Sequence, residues 1–269
     1  MPTWEARVTR GTAPADRVDG ELRYALAAPL IREAALWVDL GCGEGIASGA
    51  ALGDARPRAR ALLVDGDEQA LQEARRECGA DVAATVLADL GTAEGAAAVR
   101  AAVDAAATPG APIVVTCFGV LHQLEDFTAL VDLLLALGER ATVVLSVPDD
   151  AAGALDDPHR RSAWSAGAAE ELRRLLPPDA VVLRQVSLRA SAIVGPAGGE
   201  VAPLGTPSVA PDQAPTTHLL AFGPDAARLA PVSLARPADL DADRADARRR
   251  ESDLAYLEAR LAVLDAPAG

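Results

Sequence analysis

The sequence predicts an α/β chain: a doubly wound sheet of about seven strands, five parallel and a terminal antiparallel pair, with helical extensions at both ends. Five short apolar runs recur, at 35–40, 60–65 (RALLVD), 82–87, 112–118 (PIVVTCF) and 141–147 (ATVVLSV). Ala- or Leu-rich segments at helical spacing separate them, at 45–53, 67–78, 92–107 and 124–138. Strands alternating with helices of these lengths pair in parallel, because each crossover helix returns the chain to the same end of the sheet. After Val147 the rhythm stops. Two later strand-like stretches, 180–194 and 218–222, have no helix between them, so they pair antiparallel at the sheet edge.

The flanking segments follow in order. Residues 1–34 form an N-terminal extension in which Val18, Leu22, Leu26, Leu30 and Ile31 recur at helical spacing, with a break expected at Pro29. Residues 35–230 form the main domain. Within it, 148–164 is an acidic irregular loop, and Ser165–Leu176 reads as a helix capped by Ser165 and stopped by Pro177 and Pro178. The Pro- and Gly-rich stretch 195–215 is too long for a tight hairpin and reads as a mobile or substrate-facing loop. Residues 231–269 become a charged helix in which Leu254, Leu257, Leu261 and Leu264 make a short a/d seam. Two heptads fit a helix packed on its own domain as well as a homodimer or partner-protein helix.

Composition narrows the function classes. The 269 residues carry 25 Lys+Arg against 39 Asp+Glu, a net charge of −14, and every basic residue is Arg. An acidic chain with a pI near 4.6 is not built to hold a nucleic-acid backbone or an anionic membrane surface. Aromatic residues are 3% of the chain, too few for base-stacking platforms. Cys42, Cys78 and Cys117 are odd in number and far apart, which fits a reduced compartment and a soluble, cytoplasmic protein. The N-terminus has no apolar signal core, and no window approaches 18 uninterrupted apolar residues.

The informative stretch is Val38-Asp39-Leu40-Gly41-Cys42-Gly43-Glu44-Gly45. Glycines after a strand allow a tight turn into a helix and let a ligand approach the main chain. The spacing is G-x-G-x-G; Ile46 stands where the G-x-G-x-x-G dinucleotide turn would have its third glycine, which disfavours a nicotinamide oxidoreductase. A second strand ends in Asp65, twenty residues after Gly45. A carboxylate at that strand tip can accept both hydroxyls of a ribose.

With these motifs the chain resembles the class I S-adenosylmethionine (SAM)-dependent methyltransferases, whose sheet is Rossmann-like, over roughly residues 35–222. VDLGCGEG resembles their first motif, LLVDGD the second, VLADL (86–90) the third and TCFGVLHQL (116–124) the fourth-strand motif. The resemblance implies SAM as cofactor. It implies that Asp39, Gly41, Gly43 and Gly45 meet the methionine moiety, Asp65 the ribose, and Asp89 and Leu90 the adenine edge. Phe118 and Gly119 then pass the methyl donor. Asp89 also reads as a helix cap beside Gly91 and Thr92, and Asp67 as the cap of the helix that follows it.

Methyl transfer to a hydroxyl needs alignment and removal of a proton. His122, after the fourth strand, is the candidate general base, and His159 in the acidic loop is the second; each also fits a capping or packing role. His218, mid-strand, reads as structural. Asp149 and Asp150 half-match the metal pair of some O-methyltransferases, but the fourth strand ends Thr116-Cys117-Phe118 without a carboxylate, so no metal site is assigned. The Asn/Asp-Pro-Pro-Tyr signature of planar-nitrogen methylation is absent after that strand. The segment from Val147 through Trp164 to Leu176 loosely resembles glycan-assembly methyltransferases, with Arg160 and Arg161 toward a sugar or phosphate. The expected function is O-methylation of a small molecule or glycan. The alternative is a SAM-binding scaffold acting through its C-terminal helix.

Overall fold

A computed structural model describes residues 14–55, 60–148, 166–186 and 217–230. Helix α1 (Pro14–Glu33) precedes strand β1 (Leu36–Leu40), and the alternation continues through α2 (Ile46–Ala55), β2 (Arg60–Asp65), α3 (Glu68–Cys78) and β3 (Val82–Leu87). It then runs through α4 (Ala93–Ala106), β4 (Ile113–Cys117), α5 (Thr128–Gly138) and β5 (Thr142–Pro148). Helix α6 (Ala166–Leu175) and strands β6 (Val181–Gln185) and β7 (Thr217–Phe222) complete the sheet.

The sheet has seven strands in the order β3-β2-β1-β4-β5-β7-β6. The first five are parallel: Leu36 pairs with Arg60 on one side and Ile113 on the other, and Val114 with Thr142. Strand β7 enters between β5 and β6 and is antiparallel to both, with Val143 opposite Phe222 and Val181 opposite Ala221. The expected terminal pair is present at the edge, and β7 is the strand that reverses. Residues 187–194 of the predicted edge strand lie outside the described residues, as do the 148–164 loop from Asp149 onward, the 195–215 stretch and the C-terminal helix.

Side chains alternate across the strands, so two apolar layers form. Leu36, Val38, Leu40, Ile113, Val115 and Cys117 face α4, α5 and α6. Trp37, Val114, Leu63 and Phe118 face α1, α2 and α3. Helix α1 belongs to this second layer through Tyr24, Leu26, Ala27, Leu30 and Ile31. It runs unbroken through Pro29, where the sequence predicted an interruption. Proline removes the donor to the Ala25 carbonyl, but Ala25 is exposed and that carbonyl can take water, while the buried face holds the turns on either side.

Local signals set the helix ends. Asp67 caps α3, its side chain accepting from the Gln69 N–H at 2.8 Å. Helix α5 starts at Thr128, four residues later than the sequence pattern suggests. Leu121–Gln123 is a separate 3-10 turn, and the Asp126 carboxylate accepts from the Thr128 N–H at 2.8 Å. Hydrogen bonding from the Thr128 side chain, and then from its N–H, holds the Asp126 carboxyl below its ordinary range.

Candidate active site

The strand order reverses direction between β1 and β4. In an open α/β sheet the connections from two such strands leave on opposite faces, and a crevice opens at their carboxyl ends. A cleft of about 430 Å³ lies there. The glycine turn after β1 and the Phe118-Gly119-Val120 turn after β4 form its middle.

The turn is shaped by backbone geometry. Gly41, Gly43 and Gly45 all have positive φ, at 74°, 55° and 75°. The N–H groups of Gly41 and Cys42 both donate to the Val64 carbonyl, tying the turn to β2. A Cβ on Gly41 would stand 2.3 Å from Val120 Cγ2, and one on Gly45 2.7 Å from Ala74 Cα. The first glycine therefore lets the two central turns touch, and the third lets α3 approach the start of α2. A Cβ on Gly43 would meet nothing within 4 Å, and Gly43 lines the cleft.

Asp65 lines the cleft at the tip of β2 and is almost fully buried. One carboxylate oxygen accepts from the Gly43 N–H at 2.9 Å and the other from the Asp67 N–H at 3.0 Å. Asp89, exposed on the cleft wall, accepts from the Gly91 N–H at 2.9 Å. The cap of α4 is Thr92, which accepts from the Gly95 N–H at 3.1 Å, so Asp89 shapes the turn before the helix instead of capping it. Leu90 is buried beside it on the same wall.

Asp39 is placed differently from Asp65 and Asp89. It is fully buried behind the glycine turn and is absent from the cleft lining. Its carboxylate accepts from Ser48 Oγ at 2.5 Å, Thr116 Oγ1 at 2.7 Å, and the Tyr24 hydroxyl, which lies 3.0 Å from both oxygens. Thr116 in turn accepts from Trp37 Nε1 at 2.8 Å. Burial pushes the Asp39 carboxyl up to about 6, against the hydrogen bonds from Ser48, Thr116 and Tyr24 that pull it down. Tyr24 is pushed well above its ordinary range, chiefly by burial and then by the Asp39 charge. The Asp39 carboxylate thus braces the glycine turn from beneath. Cys117 is also held far from ionisation, by burial and then by the Asp39 charge, and none of the three thiols forms a disulfide.

Phe118 packs edge-to-face on Tyr24, with centroids 5.0 Å apart, and both rings line the cleft. Gly119, at φ 71°, donates its N–H to Ser146 Oγ at 3.0 Å. His122 lines the same cavity from the 3-10 turn, half-buried, and its Cε1 lies 3.9 Å from where a Gly119 Cβ would stand. His218 pairs with Val147 and Arg184 within the sheet. His159, Asp149 and Asp150 lie outside the described residues. Among the described residues no group of three His, Cys, Asp or Glu side chains is placed to hold a metal ion.

Sequence reasoning missed Tyr24, Arg23, Ser48, Thr116, Ser146, Gln185 and Thr217. One signal was available: parallel pairing of β1 with β4 sets Asp39 opposite Thr116, a polar residue in an otherwise apolar run. The other partners come from distant segments and carry no local pattern.

Solved structures share this architecture. A small RNA methyltransferase, HEN1, is 16% identical and matches with a TM-score of 0.50 over 87% of this chain and 28% of its own, so this chain spans little more than a quarter of that protein. The methyltransferase domain of a bacterial Hen1 is 16% identical, with a TM-score of 0.47 over 77% of this chain and 99% of its own. An O-methyltransferase, TomG from Streptomyces achromogenes, involved in tomaymycin synthesis and solved with SAM, is 18% identical, with a TM-score of 0.42 over 77% and 79%. No protein-family model matches the chain, and no curated protein matches it significantly in sequence. The chain has the fold of the class I SAM-dependent methyltransferases.

Proposed function

We propose that the protein is a SAM-dependent methyltransferase that methylates a hydroxyl of a small molecule or sugar, with His122 as general base. The observation that carries this is the placement of Asp65, the glycine turn and His122 on one cleft at the switch point of a methyltransferase sheet. The residues fit the cofactor: the turn places glycine backbone, not side chain, against the cavity, and Asp65 stands at the strand tip with its carboxylate oriented by two N–H donors. Gly41 and Gly43 would face the amino-acid moiety, Asp65 the ribose, and Asp89 with Leu90 the adenine. When bound, SAM supplies a methyl on a sulfonium, a good leaving group for in-line displacement.

The chain's own groups do the rest. The Phe118–Val120 turn is fixed by the Gly119 bond to Ser146, so the wall beside the reacting position stays in place. His122 accepts the hydroxyl proton as the oxygen attacks, a role suited to an imidazole near neutral pH. The net charge of −14 favours a small acceptor over a nucleic-acid backbone, although one structural neighbour is a small RNA methyltransferase.

Calorimetric titration of SAM into the purified protein tests the cofactor, and a screen of hydroxylated acceptors with labelled SAM tests the chemistry. Absence of SAM binding overturns the whole assignment. His122→Ala is expected to lower turnover by about 10²–10⁴-fold with SAM affinity kept, as loss of a general base does. Unchanged turnover removes His122 from the reaction. SAM binding with no turnover across the screen favours the scaffold.

A further inference from the structure

The β5–β7 end of the cleft carries two buried hydroxyls, Ser146 on β5 and Thr217 on β7, and both line the cavity. Ser146 Oγ accepts from the Gly119 N–H at 3.0 Å, and Thr217 Oγ1 accepts from Arg23 Nη2 at 3.2 Å. Both partners are donors only, so each hydroxyl is held through its oxygen and keeps its own proton to give. Among the described residues neither proton goes to a protein acceptor. A donor buried at a cleft wall on these terms is a point that a ligand oxygen can satisfy.

The two hydroxyls share a face of the sheet. Ser146 lies opposite Leu219 and Pro148 opposite Thr217. Ser146 and Thr217 are therefore diagonal neighbours on adjacent antiparallel strands, with Cα atoms about 7–8 Å apart. That span is comparable to a six-membered ring with its hydroxyls. The pair stands three and four strand neighbours from β2, which Asp65 ends, or about 14 and 19 Å at about 4.8 Å per spacing. Ser146 also holds the Gly119 turn, and His122 stands beside that turn.

Helix α1 packs over this face, in the same apolar layer as Leu219, and it presents a glycine to the cleft. Gly20 lies one turn before Arg23 and Tyr24, which bond Thr217 and Asp39. Glycine weakens a helix interior relative to alanine, so its presence needs a reason. Its backbone is helical and not left-handed, and a Cβ there would meet no atom within 4 Å among the described residues. Neither conformation nor close packing therefore calls for glycine at this position. What a side chain there would take up is room in the cleft.

We propose that Ser146, Thr217 and Gly20 form the acceptor subsite: the two O–H groups hold oxygens of a neutral polyhydroxylated ring, and the bare Gly20 backbone sets the size of ring admitted. This rests on the proposed function and gives it a substrate class. Hydroxyl donors bind neutral oxygens without adding charge, and in a protein of net charge −14 a neutral acceptor meets no long-range repulsion. A ring seated there presents a hydroxyl toward the Gly119 turn, within the reach of His122.

The test uses the full chain saturated with S-adenosylhomocysteine (SAH), titrated with methyl α-glucopyranoside and separately with acetate, following saturation transfer to the ligand protons. Wild type is expected to bind the glucoside, and acetate at least tenfold more weakly. Ser146→Ala and Thr217→Val are each expected to weaken the glucoside about fivefold, the scale of one neutral hydrogen bond. Gly20→Leu is expected to abolish glucoside binding and to change SAH affinity less than twofold. Gly20→Ala guards against misfolding of the leucine variant. It is expected to raise the melting temperature by about 2 °C, because alanine favours the helix, and still to weaken the glucoside. Absence of glucoside binding in wild type overturns the proposal, as does acetate binding of equal strength. So does undiminished glucoside binding in Gly20→Leu, or a lowered melting temperature in Gly20→Ala, which would make the glycine a packing residue. A tenfold loss of SAH affinity in Gly20→Leu also overturns it, by assigning Gly20 to the cofactor. Failure of SAH to bind the wild type is a separate result that sinks the cofactor assignment and this inference with it.

Discussion

The two ends of the cleft are built by different means. At the β1–β3 end, the working parts come from short contiguous motifs: a glycine turn, an acid at a strand tip, and a turn shaped by Asp89. At the β5–β7 end they come from residues far apart in the chain, with Arg23 held by Gln185, 162 positions away, and Thr217, 194 away. A ligand gripped largely by backbone geometry leaves a signature within a few residues, because only glycine fits certain positions. A ligand gripped by side chains from separate elements leaves none. The β1–β3 end is therefore legible in a single sequence, and the β5–β7 end becomes legible only in three dimensions.

The largest effect expected is at the glycine turn, and it splits within the motif. Gly45→Ala places a Cβ 2.7 Å from the α3 backbone at a φ of 75°, where neither partner can yield cheaply. It is expected to destabilise the fold by about 3 kcal/mol and to abolish SAH binding. Gly43→Ala carries a strained φ of 55° but meets no atom within 4 Å. It is expected to lose only about 1 kcal/mol of stability and still to weaken SAH binding, because the methyl occupies the cleft side of the turn. Urea unfolding beside calorimetry separates the two, and equal stability losses would show that the motif is needed only for folding.

Asp39 belongs to a contiguous motif and still depends on distant segments. The sequence sets it beside the glycine turn, and its carboxylate accepts from Ser48, Thr116 and Tyr24. Local pattern could locate the acid but not its partners, which come from α1, α2 and β4. Likewise the strand rhythm made all seven strands readable, while Pro29 misled because a proline's cost depends on tertiary packing that one helix does not reveal. The brace has a measurable sign. Its carboxyl, raised to about 6 in the fold from an ordinary 3.8, ionises less readily folded than unfolded. The folded state therefore binds more protons between those values, and stability contributed by Asp39 is full below the lower one and lost as pH rises through about 6. The unfolding free energy of wild type minus that of Asp39→Asn is expected to fall by about 2 kcal/mol from pH 4 to pH 7. A flat difference would mean that the carboxyl titrates normally and that water reaches it.

The smallest effect expected is at the tip of β2. Asp65→Asn keeps the size of the side chain but offers one carbonyl oxygen where the carboxylate offers two. The Gly43 and Asp67 N–H groups now occupy both oxygens, so the amide nitrogen must oppose one of these donors. Whichever way the amide turns, the strand tip can no longer serve both N–H groups and a ribose diol together. The expected loss is about tenfold in SAH affinity, the scale of one charge-assisted hydrogen bond.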